Sequence, residues 1–260
     1  MEIRVGRQRV NWGINMVWNP NDIFNTFNFY DFDYVEMPGC DAIRGIFYTG
    51  VASSIEAAVK IGKDEKITAV GMFKFNKWNY DMQVMAGMME DDIVFGGGWS
   101  GYIKNAGFTG EGSYFRDKKN VADTVGIFIF SMGANYTFKN SIFIHGSFLF
   151  NTNGTKGNAG ATNPLDNPII NFRTLTPKDF TRARYSIFGQ VSYPISPLIN
   201  GDLSTIFNPN DKSFFLGPNI GFSLSDNISL LLMAQIFVGD EGTEFGNAGQ
   251  LYYLRLKWSF

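Results

Sequence analysis

Hydrophobic and polar residues alternate with a period of two along most of the chain, as they do in half-buried β-strands. Runs of this kind are separated by Gly, Asn, Asp and Pro, which are typical of turns. The pattern predicts about fourteen strands, near residues 2–10, 42–49, 53–61, 67–76, 80–89, 92–103, 109–116, 124–137, 141–151, 183–193, 199–207, 213–224, 228–238 and 250–260. Pro218 lies inside one of them and predicts a bulge or a local break in strand pairing, because proline has no amide hydrogen.

The last strand has the clearest two-faced pattern. One face is apolar and aromatic, and consists of Tyr252, Leu254, Leu256, Trp258 and Phe260. Arg255 and Lys257 lie on the other face, an arrangement suited to a wall between lipid and water. A terminal aromatic residue on such a strand resembles the C-terminal signal of bacterial outer-membrane barrels, which the barrel assembly machinery recognises. Trp258 and Phe260 are therefore the candidate assembly signal.

The predicted fold class is all-β: a transmembrane antiparallel up-and-down β-barrel of about fourteen strands, forming a single domain over residues 1–260. Connection lengths agree with this fold. The longest connections, 11–41, 152–182 and 239–249, are the first, ninth and thirteenth, so all are odd-numbered. If both termini are periplasmic, every long loop is extracellular and the short polar turns are periplasmic.

Composition narrows the alternatives. Hydrophobic residues make up 45% of the 260 residues and aromatic residues 16%, but no apolar run is long enough for a membrane-spanning helix. A transmembrane barrel has no such run either, because lipid-facing and lumen-facing residues alternate along its strands. A soluble β-sandwich is the competing interpretation. The net charge of -2 gives no basic field for nucleic acid. Cys40 is the single cysteine, so no intrachain disulfide forms, and we predict neither a cofactor nor a metal.

A block near the N-terminus carries a family resemblance. The run Arg4–Gly13 contains Gly6-Arg7-Gln8 and Trp12-Gly13, and Asn19-Pro20-Asn21-Asp22 and Pro38-Gly39-Cys40-Asp41-Ala42 follow it. This block resembles one in porin-like outer-membrane barrels of Gram-negative bacteria, including alginate-export-like barrels and related uncharacterised families. The resemblance implies a strand that leads into a loop. Met1 is followed at once by Glu2-Ile3-Arg4-Val5, which reads as a strand and not as a signal peptide, so we expect a mature form or a fragment that lacks its start. In such families the block usually lies inside a longer chain with strands before it, so an N-terminally truncated member of a larger barrel is expected.

The first long loop, 11–41, is rich in aromatic and acidic residues. So many aromatic side chains are not expected to stay solvated on a free loop, which favours a loop folded into the barrel as a constriction. Its candidate residues are Trp18, Asp22, Phe24, Phe27, Tyr30, Asp31, Asp33 and Glu36. Two alternatives stay open: aromatic and acidic groups that bind a sugar, or carboxylates that bind Ca²⁺, although no EF-hand spacing is present.

Strand parity places charges of both signs on the inner face. The predicted lumen or pore-lining residues are Arg44, Glu56, Lys60, Lys74, Asp81, Glu111, His145, Arg184, Arg255 and Lys257, and Asp202 shares this parity. Opposite charges across a lumen satisfy one another and set a transverse field that orients polar solutes. A basic patch of Arg184, Arg255 and Lys257 favours anionic solutes.

Two motifs raise the question of an enzyme. His145 and Ser147 share one strand face with Asn151, which thinly resembles the His-x-Ser pair of outer-membrane phospholipases. The pair is predicted to face the lumen, where lipid is absent, so we predict no enzyme. The run Gly96-Gly97-Gly98 is not a phosphate loop, because no Lys-Ser/Thr follows it.

The sequence therefore predicts an integral outer-membrane porin-like channel for passive diffusion of small polar or anionic solutes, with the 11–41 loop as constriction. The expected partners are the outer-membrane bilayer, the barrel assembly machinery and small polar solutes, and a homo-oligomer or a larger outer-membrane complex stays open. The first alternative is a non-conducting barrel that serves as an accessory subunit or scaffold. The second is a lipid hydrolase that uses His145 and Ser147.

Overall fold

The computed structural model describes residues 1–26, 29, 39–62, 65–119, 125–160, 176–246 and 248–260. It contains fourteen strands: β1 (Glu2–Gln8), β2 (Cys40–Gly50), β3 (Ser53–Ile61), β4 (Ile67–Lys77), β5 (Tyr80–Met89), β6 (Asp92–Ile103), β7 (Ala106–Asp117), β8 (Ile127–Thr137), β9 (Phe143–Asn151), β10 (Tyr185–Ser196), β11 (Ile199–Phe207), β12 (Phe214–Ser225), β13 (Ile228–Val238) and β14 (Gln250–Trp258). A 3-10 helix, Pro177–Asp179, precedes β10. Among the described residues, none of the helices has the length and apolar character to span a membrane.

The strands form one antiparallel sheet in chain order, β1 to β14, so each strand neighbours the strand before and after it. This is the up-and-down arrangement predicted from the sequence, and both the strand count and the strand positions are confirmed. The turns between strands are tight where the sequence is polar. Trp78 and Asn79 both have positive φ, 57° and 63°, which is the geometry of a two-residue type I′ hairpin between β4 and β5.

The residues divide into two compact units. The first contains β1 to β7 within Met1–Met132, together with the described parts of Leu149–Asn153 and Phe172–Phe180. Along its strands buried and exposed side chains alternate; in β4, for example, Thr68, Val70 and Met72 are buried. The alternation follows from the period of two in the sequence, and it gives this part of the sheet one covered face and one exposed face.

The second unit contains β10 to β14 within Thr181–Phe260. Buried residues alternate with more exposed ones at the start of β10 and of β12, whereas all residues of β14 are exposed. Pro218 lies within β12. The β12–β13 register passes directly from Leu216 opposite Ile236 to Asn219 opposite Met233 without a shift. Of the two outcomes expected at the proline, the local break in pairing occurs and the bulge does not.

Candidate functional site

The uncovered face of the first unit is apolar. Phe47 in β2 pairs with Ile55, which pairs with Phe73, which pairs with Val84 in β5. Side chains of directly paired residues point to the same side of a sheet, and all of these side chains are exposed. A continuous exposed apolar row is costly in water and suits contact with lipid acyl chains.

The opposite face of the first unit is here called the polar face. It carries charged residues that the sequence predicted to share one face of the sheet. Paired positions link Arg44 to Ala58, Lys74 to Gln83, and Gln83 through Gly98 to Glu111. The ladder therefore puts Arg44, Glu56, Lys60, Lys74, Asp81 and Glu111 on one side of β2 to β7. Their role in lining a pore remains a prediction.

Residues 10–26, here called the first-loop segment, lie against this polar face. Val10, Trp12 and Asn21 of the segment are 0 to 1% exposed. Of the predicted constriction residues, Trp18, Asp22 and Phe24 are also buried. Five further ones, Phe27, Tyr30, Asp31, Asp33 and Glu36, lie outside the described residues. The described half of the loop thus packs on the sheet, as a folded-in loop requires.

Glu56 anchors the beginning of the segment. The indole Nε1 of Trp12 donates to Glu56 Oε1 at 2.5 Å, and the guanidinium Nε of Arg44 donates to the same oxygen at 2.6 Å. Gln83 Nε2 donates to the carbonyl of Trp12 at 2.6 Å. Trp12 also packs edge-on against Phe24 at 5.0 Å between ring centroids. Since the Glu56 side chain is only 3% exposed, these charge-assisted bonds are shielded from water and hold Trp12 in place.

Glu111 anchors the middle of the segment. Its side chain is fully buried and accepts the backbone amides of Ile14 and Asn15, each at 3.3 Å. Asn15 Nδ2 donates to the carbonyl of Ser131 at 3.1 Å. Backbone amides of a loop lose their hydrogen bonds to water when they are buried, which costs free energy. Glu111 replaces water as the acceptor for two of these amides and so offsets that cost.

The glycine run 96–98 provides the room for this approach. A Cβ on Gly96 would lie 2.7 Å from Asn21 Oδ1, and a Cβ on Gly98 would lie 2.8 Å from Ile14 Cδ1. Asn21 Nδ2 in turn donates to the carbonyl of Gly97 at 3.0 Å. The sequence argued against a phosphate loop at these glycines, but it did not predict that a loop packs against them. The available signal was three consecutive glycines inside a predicted strand, which is typical of a close backbone approach.

Asp22 is a buried carboxyl group within the first-loop segment. Its Oδ1 atom is fully enclosed and has no hydrogen-bond partner among the described residues. Burial raises the pKa of Asp22 to about 7, and the nearby charges of Arg9 and Lys60 oppose that rise. Lys60 Nζ donates to the carbonyl of Phe24 at 3.0 Å. The loop therefore holds a group that gains or loses a proton near neutral pH.

An open cavity of about 370 Å³ lies beside the first-loop segment. Its lining includes Asn11, Tyr48, Ser54, Lys74, Asp81 and Ser100. The volume falls in the usual range for small-molecule sites. The lining mixes apolar and polar residues, with one cationic and one anionic side chain. This arrangement can hold a small polar solute.

The second unit contains the remaining predicted pore-lining residues. Arg184 is partly buried and donates through Nε to the carbonyl of Gly154 at 3.1 Å. Asp202 accepts from the hydroxyl of Ser192 on the neighbouring strand. Arg255 and Lys257 are exposed on β14, opposite Leu231 and Ser229 of β13. A basic patch formed by Arg184, Arg255 and Lys257 remains a prediction.

His145 and Ser147 are in hydrogen-bond contact on β9, with 2.5 Å between Nε2 and Oγ, and both are buried. The ring of Phe188 packs edge-on against His145 at 5.6 Å. Asn151 uses its side chain elsewhere: it donates to the carbonyl of Lys178 and accepts the amide of Asn153, both at 2.9 Å. The side chain of Asn151, the third member of the suggested hydrolase set, thus bonds to backbone groups.

A buried carboxyl network that the sequence did not reveal joins the loops of the second unit. Glu244 accepts from Thr181 Oγ1 at 2.5 Å and from Asn208 Nδ2 at 3.1 Å. Asp211 accepts the amides of Ala159 and Glu244 at 3.2 and 2.7 Å. Burial raises the pKa of Glu244 to about 7. These acceptors satisfy loop donors far apart in sequence, so no local pattern signalled them.

No protein-family model and no curated protein matches the chain. Solved structures do match. An alignment with OccK10 (OpdN) of Pseudomonas aeruginosa covers 98% of this chain and 78% of that one, with a TM-score of 0.62 and 10% identity. For OccK11 (OpdR) of the same organism, the alignment covers 99% of this chain and 77% of that one, with a TM-score of 0.59 and 9% identity. For OpdL of the same organism, it covers 87% of this chain and 74% of that one, with a TM-score of 0.55 and 10% identity. All three are outer-membrane porins.

The chain has the fold of outer-membrane porin β-barrels. This confirms the predicted fold class and the porin-like part of the sequence resemblance. At about a tenth of positions identical, the likeness shows the fold and leaves the solute open. The resemblance to alginate-export-like barrels stays a prediction, as do N-terminal truncation and the single domain over residues 1–260.

Proposed function

We propose that this protein is a porin-like channel of the bacterial outer membrane, which passes small polar or anionic solutes by diffusion. The first-loop segment is its constriction. The observation that carries the proposal is the attachment of this segment to the polar face through Glu56, Gln83 and Glu111. A loop bound on the inner side of a barrel narrows the lumen.

The two-faced sheet supports a location in the membrane. Exposed apolar rows face one way, and the charged and amide side chains of the polar face point the other way. The fold likeness to outer-membrane porins points to the same compartment. In this proposal the barrel assembly machinery inserts the chain, with Trp258 and Phe260 as the signal on the last strand.

The mixed charge beside the loop supports diffusion of polar solutes. Lys74 and Asp81 both border the cavity next to the first-loop segment. Charges of opposite sign along a passage orient dipolar solutes and bias ion selectivity without a tight binding step. No chemical transformation is part of this function.

Planar-bilayer recording of the purified chain tests the proposal. We expect discrete conductance steps at each insertion, because an open barrel conducts ions. Membranes that stay ion-tight after verified insertion would overturn it. That result would favour the non-conducting accessory or scaffold barrel, for which the close packing of the first-loop segment on the polar face is the supporting observation.

A further inference from the structure

Four side chains of the polar face form a continuous row beside the first-loop segment. Tyr48 of β2 pairs with Ser54, Ser54 pairs with Lys74, and Lys74 pairs with Gln83 of β5. Directly paired side chains lie next to one another on the same face, so the row is a contiguous polar surface. All four residues line the cavity of about 370 Å³.

Lys74 is the unsatisfied charge of this row. Within the described part of the chain, the ammonium group of Lys74 makes no hydrogen bond and no ion pair. It is partly shielded on β4, with its neighbours Ser54 and Gln83 offering only neutral polar groups. A cation that borders a cavity without a partner is available to the anionic group of a solute.

Asp81 supplies the opposite charge at a fixed place. Asn76 Nδ2 donates to Asp81 Oδ1 at 2.9 Å, which orients the carboxylate and leaves its second oxygen available to the cavity. Asp81 stands two residues from Gln83, the direct partner of Lys74, and is therefore a diagonal neighbour of Lys74. Diagonal neighbours in a sheet are about 7–8 Å apart at the backbone. Both residues line the same cavity, so their charged groups border one space.

We propose that Lys74 and Asp81 form a binding subsite for small dipolar solutes, that is, molecules with one anionic and one cationic group. The anionic group binds the ammonium of Lys74, and the cationic group binds the carboxylate of Asp81. Tyr48 and Ser54 also line this cavity. This inference rests on the proposed channel function and names the solute class that the passage favours.

Liposome swelling with purified protein tests the subsite. Glycine is the dipolar probe, and glycolamide, which has the same atoms but no charges, is the matched neutral probe. We expect glycine to enter about two- to fivefold faster than glycolamide, the range expected for solvent-exposed ion pairs. Lys74→Met and Asp81→Asn should each abolish this preference, whereas Lys77→Met, a charge removal at the nearby exposed turn, should retain it.

The outcomes separate the two proposals. Equal entry of both probes through the parent protein, or a glycine preference that survives Lys74→Met and Asp81→Asn, would overturn the dipolar subsite and leave the channel standing. If neither probe enters through inserted protein, the channel function itself fails. Circular dichroism and heat-modifiable gel migration of each variant establish that the barrel is folded before swelling is compared.

Discussion

Replacement of Trp12 by Phe tests how firmly the first-loop segment is held. The indole Nε1 donates to the carboxylate of Glu56 at 2.5 Å, and both side chains are buried. Phenylalanine keeps an aromatic ring against Phe24 but removes this donor. A hydrogen bond to a charged group contributes about 1.5–3 kcal/mol, so the equilibrium between the docked and released segment should shift toward release by about tenfold to a hundredfold.

The assay is single-channel conductance in planar bilayers. We expect Trp12→Phe to show more frequent and longer visits to a higher conductance level, because the released segment widens the passage. The matched control is Trp78→Phe, since Trp78 is 75% exposed in the β4–β5 turn and does not contact Glu56. Identical conductance in the parent and Trp12→Phe would refute the role of this bond in holding a constriction.

Three further predictions concern the loop and the alternative function. First, the raised pKa of Asp22 means that the docked loop prefers the protonated carboxyl group. Protonation of Asp22 therefore stabilises the docked loop fully below the ordinary carboxyl pKa, and this stabilisation is lost as pH rises through about 7. Conductance should therefore increase between pH 5 and pH 8, and Asp22→Asn should remove that dependence. Second, Gly98→Val should crowd both Ile14 and the backbone carbonyl of Gly110 in β7, at a cost of about 1–3 kcal/mol, and raise conductance. Third, parent protein and His145→Ala should show the same absence of phospholipid hydrolysis.

Each of these predictions has a control and a contradicting result. Gly45→Ala adds a side chain where nothing lies within 4 Å, so it should conduct like the parent. A pH response that persists in Asp22→Asn would assign the titration to another group, such as Glu244. Hydrolysis by the parent that His145→Ala eliminates would support the lipid hydrolase instead of the channel.

The strands could be predicted from the sequence because a two-faced sheet leaves a direct trace in it. Alternation in β13 and β14, for example, follows from contact with different surroundings on the two faces. The same parity placed Arg44, Glu56 and Glu111 on one side of the sheet, as the ladder shows. The period of two along each strand is therefore sufficient to predict which face of the sheet a residue lies on.

The anchors of the first-loop segment could not be predicted in the same way. Trp12 and Glu56 are 44 residues apart, and Asn15 and Glu111 are 96 apart. Such contacts depend on how the loop returns onto the sheet, and no short-range pattern encodes that path. Glycines 96–98 lie where the loop packs on the sheet. Their role could be recognised only once the structure placed Ile14 and Asn21 beside them.

Pore size measured with graded polyethylene glycols tests the central claim most directly. Single-channel conductance of the parent and of Trp12→Phe is recorded with polymers of increasing mass, which lower conductance only if they enter the passage. The structure predicts discrete conductance in both proteins and a larger size cut-off in Trp12→Phe. Inserted parent protein that conducts no ions, or an identical cut-off in the two proteins, would contradict a passage narrowed by the first-loop segment.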